Sequence, residues 1–538
     1  MTLGEKITRL RLSKNISQKE LAQKLSVSRQ LVSKWEMDHA TPQIDKVLRL
    51  CETFGVSADQ LLKNDVEMQL ENLKESNKYF GTDGFRGESN LTLTSVQAYK
   101  VGRFLGWYYT KLLKENGKYN ENPRVVIGKD TRRSSYMLEY SIAAGLTASG
   151  ADVYMLHVTT TPSVSYVTNQ DGFDCGIMIT ASHNPYYDNG IKILNRFGEK
   201  LDDATTDLIE KYLDGNMAAL GVIGNDIPFA VRDKIGCIID YASGRNRYIA
   251  YLISLVSHSY KNLRIGLDCA NGASWMIAKS VFSALGAQTE MVGVEPNGLN
   301  INKDCGSTHI ERLQALVKEK HLDLGFAFDG DADRCFAVDD KGNVVDGDKI
   351  LYILANRFKA RGMLNNNTVV STVMSNSGFI DSLHKIGVKS VQTKVGDRFV
   401  YECMQDNDYS LGGESSGHII LKKYATTGDG ILTALMVTEE VCDLKLPLAE
   451  LHKQVVFYPQ YLKNVRVKNK SAVLEDELIK DGVKEIERLI NGKGRVLLRE
   501  SGTEPFIRIM VECEEENLCK AYTEKIAELI MQRGYSNE

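Results

Sequence analysis

From residue 79 onward, apolar strand-like runs alternate with amphipathic helical stretches, and this pattern limits the available folds more than any other feature. "RVVIGKDTR", "ADVYMLHV" and "CGIMIT" read as buried strands, with the helical "SYMLEYSIAAGLTASG" between the first two. The alternation returns in "RIGLDCANG", "LGFAFDGD", "TVVSTVMS" and "SVQTKVGD". Strands that alternate with helices predict parallel sheets covered on both faces, an α/β architecture. The last 80 or so residues read differently, as strands followed by a helix, with "GRVLLRES" and "FIRIMVEC" as an antiparallel pair. That segment predicts an α+β unit. A length of 538 residues accommodates three to five such domains.

The first 65 residues carry 11 Lys+Arg against 8 Asp+Glu, a net charge of +3, whereas the whole chain has −4. Their pattern is helical throughout. Ile7, Leu10 and Leu12 suggest one short helix. Ser17 caps "QKELAQKL" with Glu20 completing a capping box, and Ser28 caps "RQLVSKWE". Pro42 precedes "QIDKVLRLCETF", and "SADQLLK" closes a five-helix, strand-free unit. Val27, Leu31 and Trp35, spaced by four, read as its core. Residues 66–78 are polar and read as a linker.

Four stretches carry chemistry. "GIMITASHNPYYDNGIKI" is a strand that ends in exposed Ser182 and His183. It lacks the G-x-S-x-G elbow of a hydrolase. Asn189 and Gly190 predict a tight turn, with the cation Lys192 beyond it. Taken alone, Ser182 reads equally well as a capping serine. In "FAFDGDADRC", Asp329, Asp331 and Asp333 fall at i, i+2 and i+4, on one side of an extended chain. Three carboxylates so placed repel one another, and a hard divalent cation removes the conflict; Mg²⁺ suits a site open to phosphate. A calcium loop of the EF-hand type fails, because Arg334 stands where that loop needs glycine. A merely solvated acidic loop is the bland alternative. A serine beside a metal can carry a phosphoryl group. "LLRESGTEPFIRIM" gathers Arg499, Ser501, Gly502, Thr503 and Arg508 into a phosphate cradle. "SLGGESSGHII" offers Glu414, Ser416 and His418, which face one way if extended and suit sugar hydroxyls; read alone they are also ordinary surface residues.

These stretches, in this order, resemble the four signature loops of the α-D-phosphohexomutases: "TASHNP", "DGDADR", "GESSGH" and "RESGTEPFIR". The likeness runs from Tyr79 to about residue 535. It implies four domains, three α/β with mixed sheets and a C-terminal α+β domain, at 79–242, 243–345, 346–455 and 456–538. It also implies a phosphorylated Ser182, with Mg²⁺ held by Ser182, Asp329, Asp331 and Asp333. "YFGTDGFRG" brings Arg86 to the site beside the phosphoserine, and Arg86, His183, Lys192 and His418 are expected to join Ser182 as catalytic residues. Arg86, Lys192, Lys394 and Arg334 supply positive charge, and His418 or Lys192 moves the hydroxyl proton. Glu414, Ser416 and His418 grip the sugar, while Arg499, Ser501, Gly502, Thr503 and Arg508 hold the idle phosphate. "DNGIK", "TVMSN", "KVGDRFV" and "TTGDG" resemble the phosphoglucosamine mutase branch more than the phosphomannomutases. Ser415 departs from that branch, which ordinarily has glutamine there. The reaction implied converts glucosamine 6-phosphate to glucosamine 1-phosphate through a 1,6-bisphosphate. A phosphoglucomutase or phosphomannomutase, and a transcription regulator that senses sugar phosphates, are the competing readings.

The front unit resembles a Cro-repressor-like helix-turn-helix, in which the second helix of the motif enters the major groove. Gln18, Ser28, Arg29, Gln30, Ser33 and Lys34 would then face double-stranded DNA. Ten cysteines without a Cys-x-x-Cys pair, and no signal peptide or membrane-length apolar run, predict a cytoplasmic protein. The expected partners are hexosamine or hexose phosphates, DNA through residues 1–65 and a second copy of the chain. No membrane is expected.

Overall fold

The computed structural model describes residues 3–14, 16–54, 56, 61, 79–81, 83–500 and 506–536. The chain forms two compact units, Met1–Tyr79 and Phe80–Glu538.

The first unit contains α1 (Leu3–Ser13), α2 (Gln18–Leu25), α3 (Arg29–Glu36) and α4 (Ile44–Phe54). Ser17 and Glu20 form the capping box of α2, and Ser28 accepts from the Leu31 N–H to cap α3. The core gathers Ile7, Leu21, Leu25, Val32, Trp35 and Leu50. Val32 and Trp35, three residues apart, are the buried residues of α3, while Val27 and Leu31 pack partly exposed at its edge. The buried stripe is therefore rotated from the four-residue spacing read from sequence, because a helix turns every 3.6 residues. The "SADQLLK" segment lies outside the described residues except for Leu61, which is buried.

The second unit holds four sheets. The first, ordered β1-β2-β6-β5-β3-β4-β7, contains β1 (Phe80–Gly81), β2 (Gly84–Glu88), β3 (Arg124–Lys129), β4 (Asp152–Val158), β5 (Cys175–Ile179), β6 (Asp188–Asn195) and β7 (Ile238–Asp240). The second, β12-β11-β10-β8-β9, contains β8 (Arg264–Asp268), β9 (Gln288–Val292), β10 (Leu324–Phe328), β11 (Cys335–Asp339) and β12 (Val344–Val345). The third, β14-β13-β15-β16, contains β13 (Thr368–Thr372), β14 (Lys389–Thr393), β15 (Leu411–Gly413) and β16 (Ile419–Leu421). The fourth, β17-β19-β18, contains β17 (Gln460–Arg466), β18 (Gly494–Glu500) and β19 (Phe506–Cys513). Its three strands are antiparallel, and the helix Glu516–Gln532 packs on them.

The first three sheets are mixed rather than purely parallel. β3 runs parallel to β4 and β5, yet β5 and β6 are antiparallel, as are β10 with β11 and β15 with β16. Each reversal is a hairpin. The pairs Ile179–Ile191, Phe328–Cys335, Gly413–Ile419 and Glu500–Ile507 close four hairpins, one per sheet. Three of the signature loops sit on the first three hairpins, and the fourth falls between the paired strands β18 and β19, with residues 501–505 outside the described ones. The apolar run "ILTALMV" belongs to the helix Gly430–Leu444, whose residues Ile431, Leu435 and Val437 join Leu267, Phe326 and Leu354 in one core across the second and third sheets. No helix among the described residues is long and apolar enough to cross a membrane.

Candidate active site

β5 is buried along its whole length and delivers Ser182 into a buried position with φ of 51°. Arg132 holds this loop from beneath. Its guanidinium donates from Nη2 to the carbonyls of Ser182 and Asn184, both at 2.9 Å, and from Nη1 to that of Pro185 at 2.5 Å. Asp130 accepts from Arg132 Nε at 2.9 Å, so this fully buried cation is neutralised. Asn302, from the second sheet's side, donates to the Ser182 and Asn184 carbonyls at 2.9 and 3.1 Å. Neither Arg132 nor Asn302 was anticipated. Arg132 had a signal: β3 runs out into Lys-Asp-Thr-Arg, a strand ending in charge just as β5 ends in polar groups. Asn189 and Gly190 do not form a turn. They lie within β6, opposite Gly87 and Arg86, and Asn189 donates to Ser134 and Ser135. The reversal falls earlier, at Pro185–Asp188, where proline presets the backbone.

Asp329, Asp331 and Asp333 are gathered by a tight turn with Ala332 at φ 56°, not by an extended strand. One carboxylate oxygen from each lies within 4.8 Å of the others, and all three side chains are buried. Ser182 Oγ donates to Asp329 Oδ2 at 2.5 Å across 147 residues of sequence. Gly330 permits this approach, since a Cβ there would stand 2.6 Å from the Ser182 carbonyl. Lys192 Nζ bridges Asp331 and Asp333 at 2.8 Å each. Burial, then the Asp333 and Asp331 charges, push the Asp329 carboxyl well above its usual range. Burial also opposes charge on Asp333, but Lys192 and His418 hold it well below. Against its own burial, Asp331 and Asp333 raise the proton affinity of Lys192, which stands as a fixed cation. Asp331 Oδ1 and Asp333 Oδ1 are buried without a hydrogen-bond partner. Two orphaned carboxylate oxygens beside a third acid and a serine hydroxyl fit a hard divalent cation.

His183 Nδ1 lies 3.3 Å from Ser182 Oγ. Burial, then Arg334 and Arg86, lower its imidazole to about 4. Arg86 donates to Asp83 at 2.6 Å, and the Arg334 backbone N–H donates to Asp329 Oδ1 at 3.2 Å. Glu414, Ser416 and His418 lie on a hairpin turn, with Gly417 at φ 89°, and not on an extended segment. Glu414 Oε1 accepts from the Gly396 N–H at 3.0 Å. His418 is buried. Its Nε2 accepts from the Gly428 N–H at 2.9 Å, and its Nδ1 lies 3.8 Å from Asp333, so Nδ1 carries the proton. Burial opposes a second proton on His418, while Asp397 and Asp333 favour it and raise its affinity overall. Lys394 is exposed on the loop after β14. Arg499 and Arg508 are direct cross-strand partners on β18 and β19. Burial and the Arg508 charge lower Arg499 from its usual range. Ser501, Gly502 and Thr503 lie outside the described residues. Of thirteen buried side-chain atoms without a partner among the described residues, six belong to Arg86, Asp331, Asp333, Arg334, Ser416 and Arg508. Buried polar atoms are ordinarily paired, so these six are groups with spare hydrogen-bonding or ligating capacity.

In the first unit, Ser28, Arg29, Gln30 and Lys34 are exposed at and along α3, and Ser33 is half-buried. Gln18 is different: its Nε2 donates to Glu36 at 2.7 Å, beside the Arg11–Glu36 ion pair at 2.6 Å, so its amide braces α2 against α3.

Family models for phosphoglucomutase/phosphomannomutase match the chain four times in succession. They cover residues 77–219 and 246–342 (alpha/beta/alpha domains I and II), 346–457 (domain III) and 462–529 (C-terminal domain). A helix-turn-helix model matches residues 7–61. A phosphoglucosamine mutase of Lachnospira eligens is 55% identical over 459 residues, 85% of this chain and 99% of the relative. One of Bacillus subtilis is 46% identical over 84% of this chain and 98% of its own. The chain belongs to the phosphoglucosamine mutase family. A phosphoglucomutase/phosphomannomutase family protein of Burkholderia thailandensis matches the mutase at 21% identity and a TM-score of 0.69, over 86% of this chain and 99% of that one. The N-acetylphosphoglucosamine mutase of Aspergillus fumigatus, solved with GlcNAc-6P and magnesium, matches at 17% identity and 0.60, over 88% and 100%. At these identities the two structures speak for the fold. The helix-turn-helix unit stands in front of the mutase as an addition to the length shared with the relatives.

Proposed function

We propose that the chain interconverts glucosamine 6-phosphate and glucosamine 1-phosphate, passing a phosphoryl group between Ser182 and the sugar by way of a 1,6-bisphosphate. The observation that carries this is the 2.5 Å contact of Ser182 Oγ with an acid of the buried triplet. Ser182, Asp329, Asp331 and Asp333 would hold Mg²⁺, which when bound neutralises charge on the phosphoryl oxygens. Arg86 and Arg334, each with an unpartnered Nε, are suited to the transferring phosphoryl group. Lys192, held as a cation, adds fixed positive charge. His183, neutral at pH 7, is a base beside the serine hydroxyl. Glu414 and Ser416 would orient the sugar, and Arg499 and Arg508, with Ser501, Gly502 and Thr503, would hold the second phosphate. Phosphoryl transfer asks mainly for alignment and charge neutralisation, which such a set supplies.

The family resemblance favours the amino sugar, while Ser415 in the sugar loop motivates the comparison with glucose and mannose phosphates. A coupled assay measuring kcat/KM on the three sugar phosphates tests the assignment. The amino sugar is expected to lead, and a preference for mannose phosphate would replace it. Intact-mass and phosphopeptide analysis is expected to place one phosphoryl group on Ser182. EDTA is expected to abolish turnover and Mg²⁺ to restore it.

Residues 1–65 are read as binding double-stranded DNA through Ser28, Arg29, Gln30, Ser33 and Lys34, with Gln18 in a supporting role. Arg and Gln are the side chains that pair bidentately with guanine and adenine. Fluorescence anisotropy with genomic DNA pools at low and high salt tests this, and a salt-independent or absent signal removes it. Ten free cysteines are consistent with a reducing, cytoplasmic setting.

A further inference from the structure

Lys200 is a half-buried cation at the edge of the site that the proposed chemistry does not use. Lys200 lies just beyond β6, and its Nζ sits 2.7 Å from Asp397 Oδ1 and 3.0 Å from Asp83 Oδ1. Both acids lead onward. Asp83 Oδ2 accepts from Arg86 at 2.6 Å, on the phosphoserine side of the site. Asp397 Oδ2 lies 3.4 Å from His418 Nε2, and the preceding residue, Gly396, donates its N–H to Glu414 at 3.0 Å. A single ammonium thus joins the β1–β2 turn at Asp83, beside Arg86 on the first sheet, to the sugar loop of the third.

The surroundings make this tie matter. The segment after β6 and the helix Asp397–Asp406 face each other across a cavity of about 380 Å³, whose walls include Lys192, Leu194, Tyr401 and Thr426. Polar connections across that gap include these three: Lys200 to Asp397, Arg398 to Asp203, and Tyr401 to Glu199 at 2.8 Å, with Gln405 also donating to Glu199 at 3.2 Å. Of these three, the one at Lys200 continues into site residues on both sides. Burial opposes the Lys200 charge, but Asp397 and Asp83 outweigh it and raise its proton affinity. Without the lysine, Asp397 and Asp83 would lose a shared counter-charge, and like charges at short range repel.

We propose that Lys200 is a positioning residue that holds the β1–β2 turn beside Arg86 and the sugar loop at a fixed spacing, so that the bisphosphate turns over in the cleft without escaping. The proposal rests on the mutase reading above. A reaction that needs its intermediate to release one set of contacts and rebind reversed depends on the cleft staying assembled during the turn. The loss expected on removing Lys200 is therefore in retention of the intermediate.

The test compares wild-type enzyme with Lys200→Met, Lys200→Arg and Asp397→Asn, with each variant's turnover expressed relative to wild type. Wild-type turnover alone decides the mutase reading. For Lys200→Met we expect kcat at least tenfold lower with KM within threefold of wild type. We also expect bisphosphate released into solution, detected by ³¹P NMR, and activity regained on adding 1,6-bisphosphate. Lys200→Arg should recover at least half of the lost turnover, and Asp397→Asn should leak intermediate in the same way. Should Lys200→Met fail to fold, Asp397→Asn carries the measurement. Wild-type kcat in both variants, or a fall in kcat with no leakage and no rescue by bisphosphate, overturns the proposal.

Discussion

Ser182 occupies the left-handed region of backbone space, where a side chain with a Cβ costs roughly 1–2 kcal/mol relative to ordinary helical geometry. Two substitutions separate chemistry from conformation there. Ser182→Ala removes the hydroxyl and keeps the strain, whereas Ser182→Gly removes both. Both are expected to lose at least a thousandfold in kcat, and thermal melts should show the glycine variant at least as stable as the alanine one. Activity surviving in either variant would remove Ser182 from the reaction. Arg132 helps to hold that conformation, its guanidinium donating to three backbone carbonyls and to Asp130. Arg132→Met leaves Asp130 buried without its counter-charge, a change that costs about 3–5 kcal/mol in comparable cases. Denaturant unfolding should register a loss of that order, and activity should fall even under conditions where the variant remains folded.

At the scale of elements, the apolar runs located the strands and caps well but pointed to parallel sheets, and it was the family resemblance that implied the mixed ones. β3, β4, β5, β8, β10, β13, β14, β18 and β19 all stand where apolar runs predicted them. Direction was hidden because a strand buried on both faces shows no alternation, so periodicity cannot tell a crossover from a hairpin. The short spacings were the missed clue. Between Phe328 and Cys335, and between Gly413 and Ile419, the chain has no room for a crossover helix. The acidic triplet does converge, but through the left-handed Ala332 and not through the extended geometry read from sequence. A further element-scale feature had no sequence signal. Asp348, in the first turn of the helix Gly347–Ala360, accepts the Asn376 N–H at 2.8 Å and is buried near Asp346, Ser375 and Glu512. Burial, then Asp346, push its carboxyl up to about 7. A carboxyl raised in the folded state binds more protons there than when unfolded, so its contribution is full below about pH 4 and lost as pH rises through 7. Asp348→Asn is therefore expected to remove a stability decline of up to roughly 4 kcal/mol between those limits. Melting temperatures of both proteins across pH 4–8 check this, and parallel profiles would exclude it.

Across the whole molecule, two units of different kinds share one chain. The mutase relatives align to 84–85% of it and to nearly all of their own length, so the second unit matches a protein that exists without the first. Deleting residues 1–78 is expected to leave kcat within twofold and to abolish any DNA binding, measured by the coupled assay and by anisotropy. The four-loop motif order made the family legible from sequence. The cross-domain contacts of Asn302, Lys200 and Asp397 were not, because each joins residues about 120–200 positions apart without a local pattern. The paired Arg499 and Arg508 on adjacent strands carry a last consequence. Two like charges stand side by side there, and the substrate phosphate proposed for this site would relieve their repulsion. On that proposal, substrate would act on this sheet as a fastener as well as a reactant. The enzyme should resist heat and proteolysis best while it is occupied, and an idle cell, poor in sugar phosphates, would keep its copies in their most perishable state.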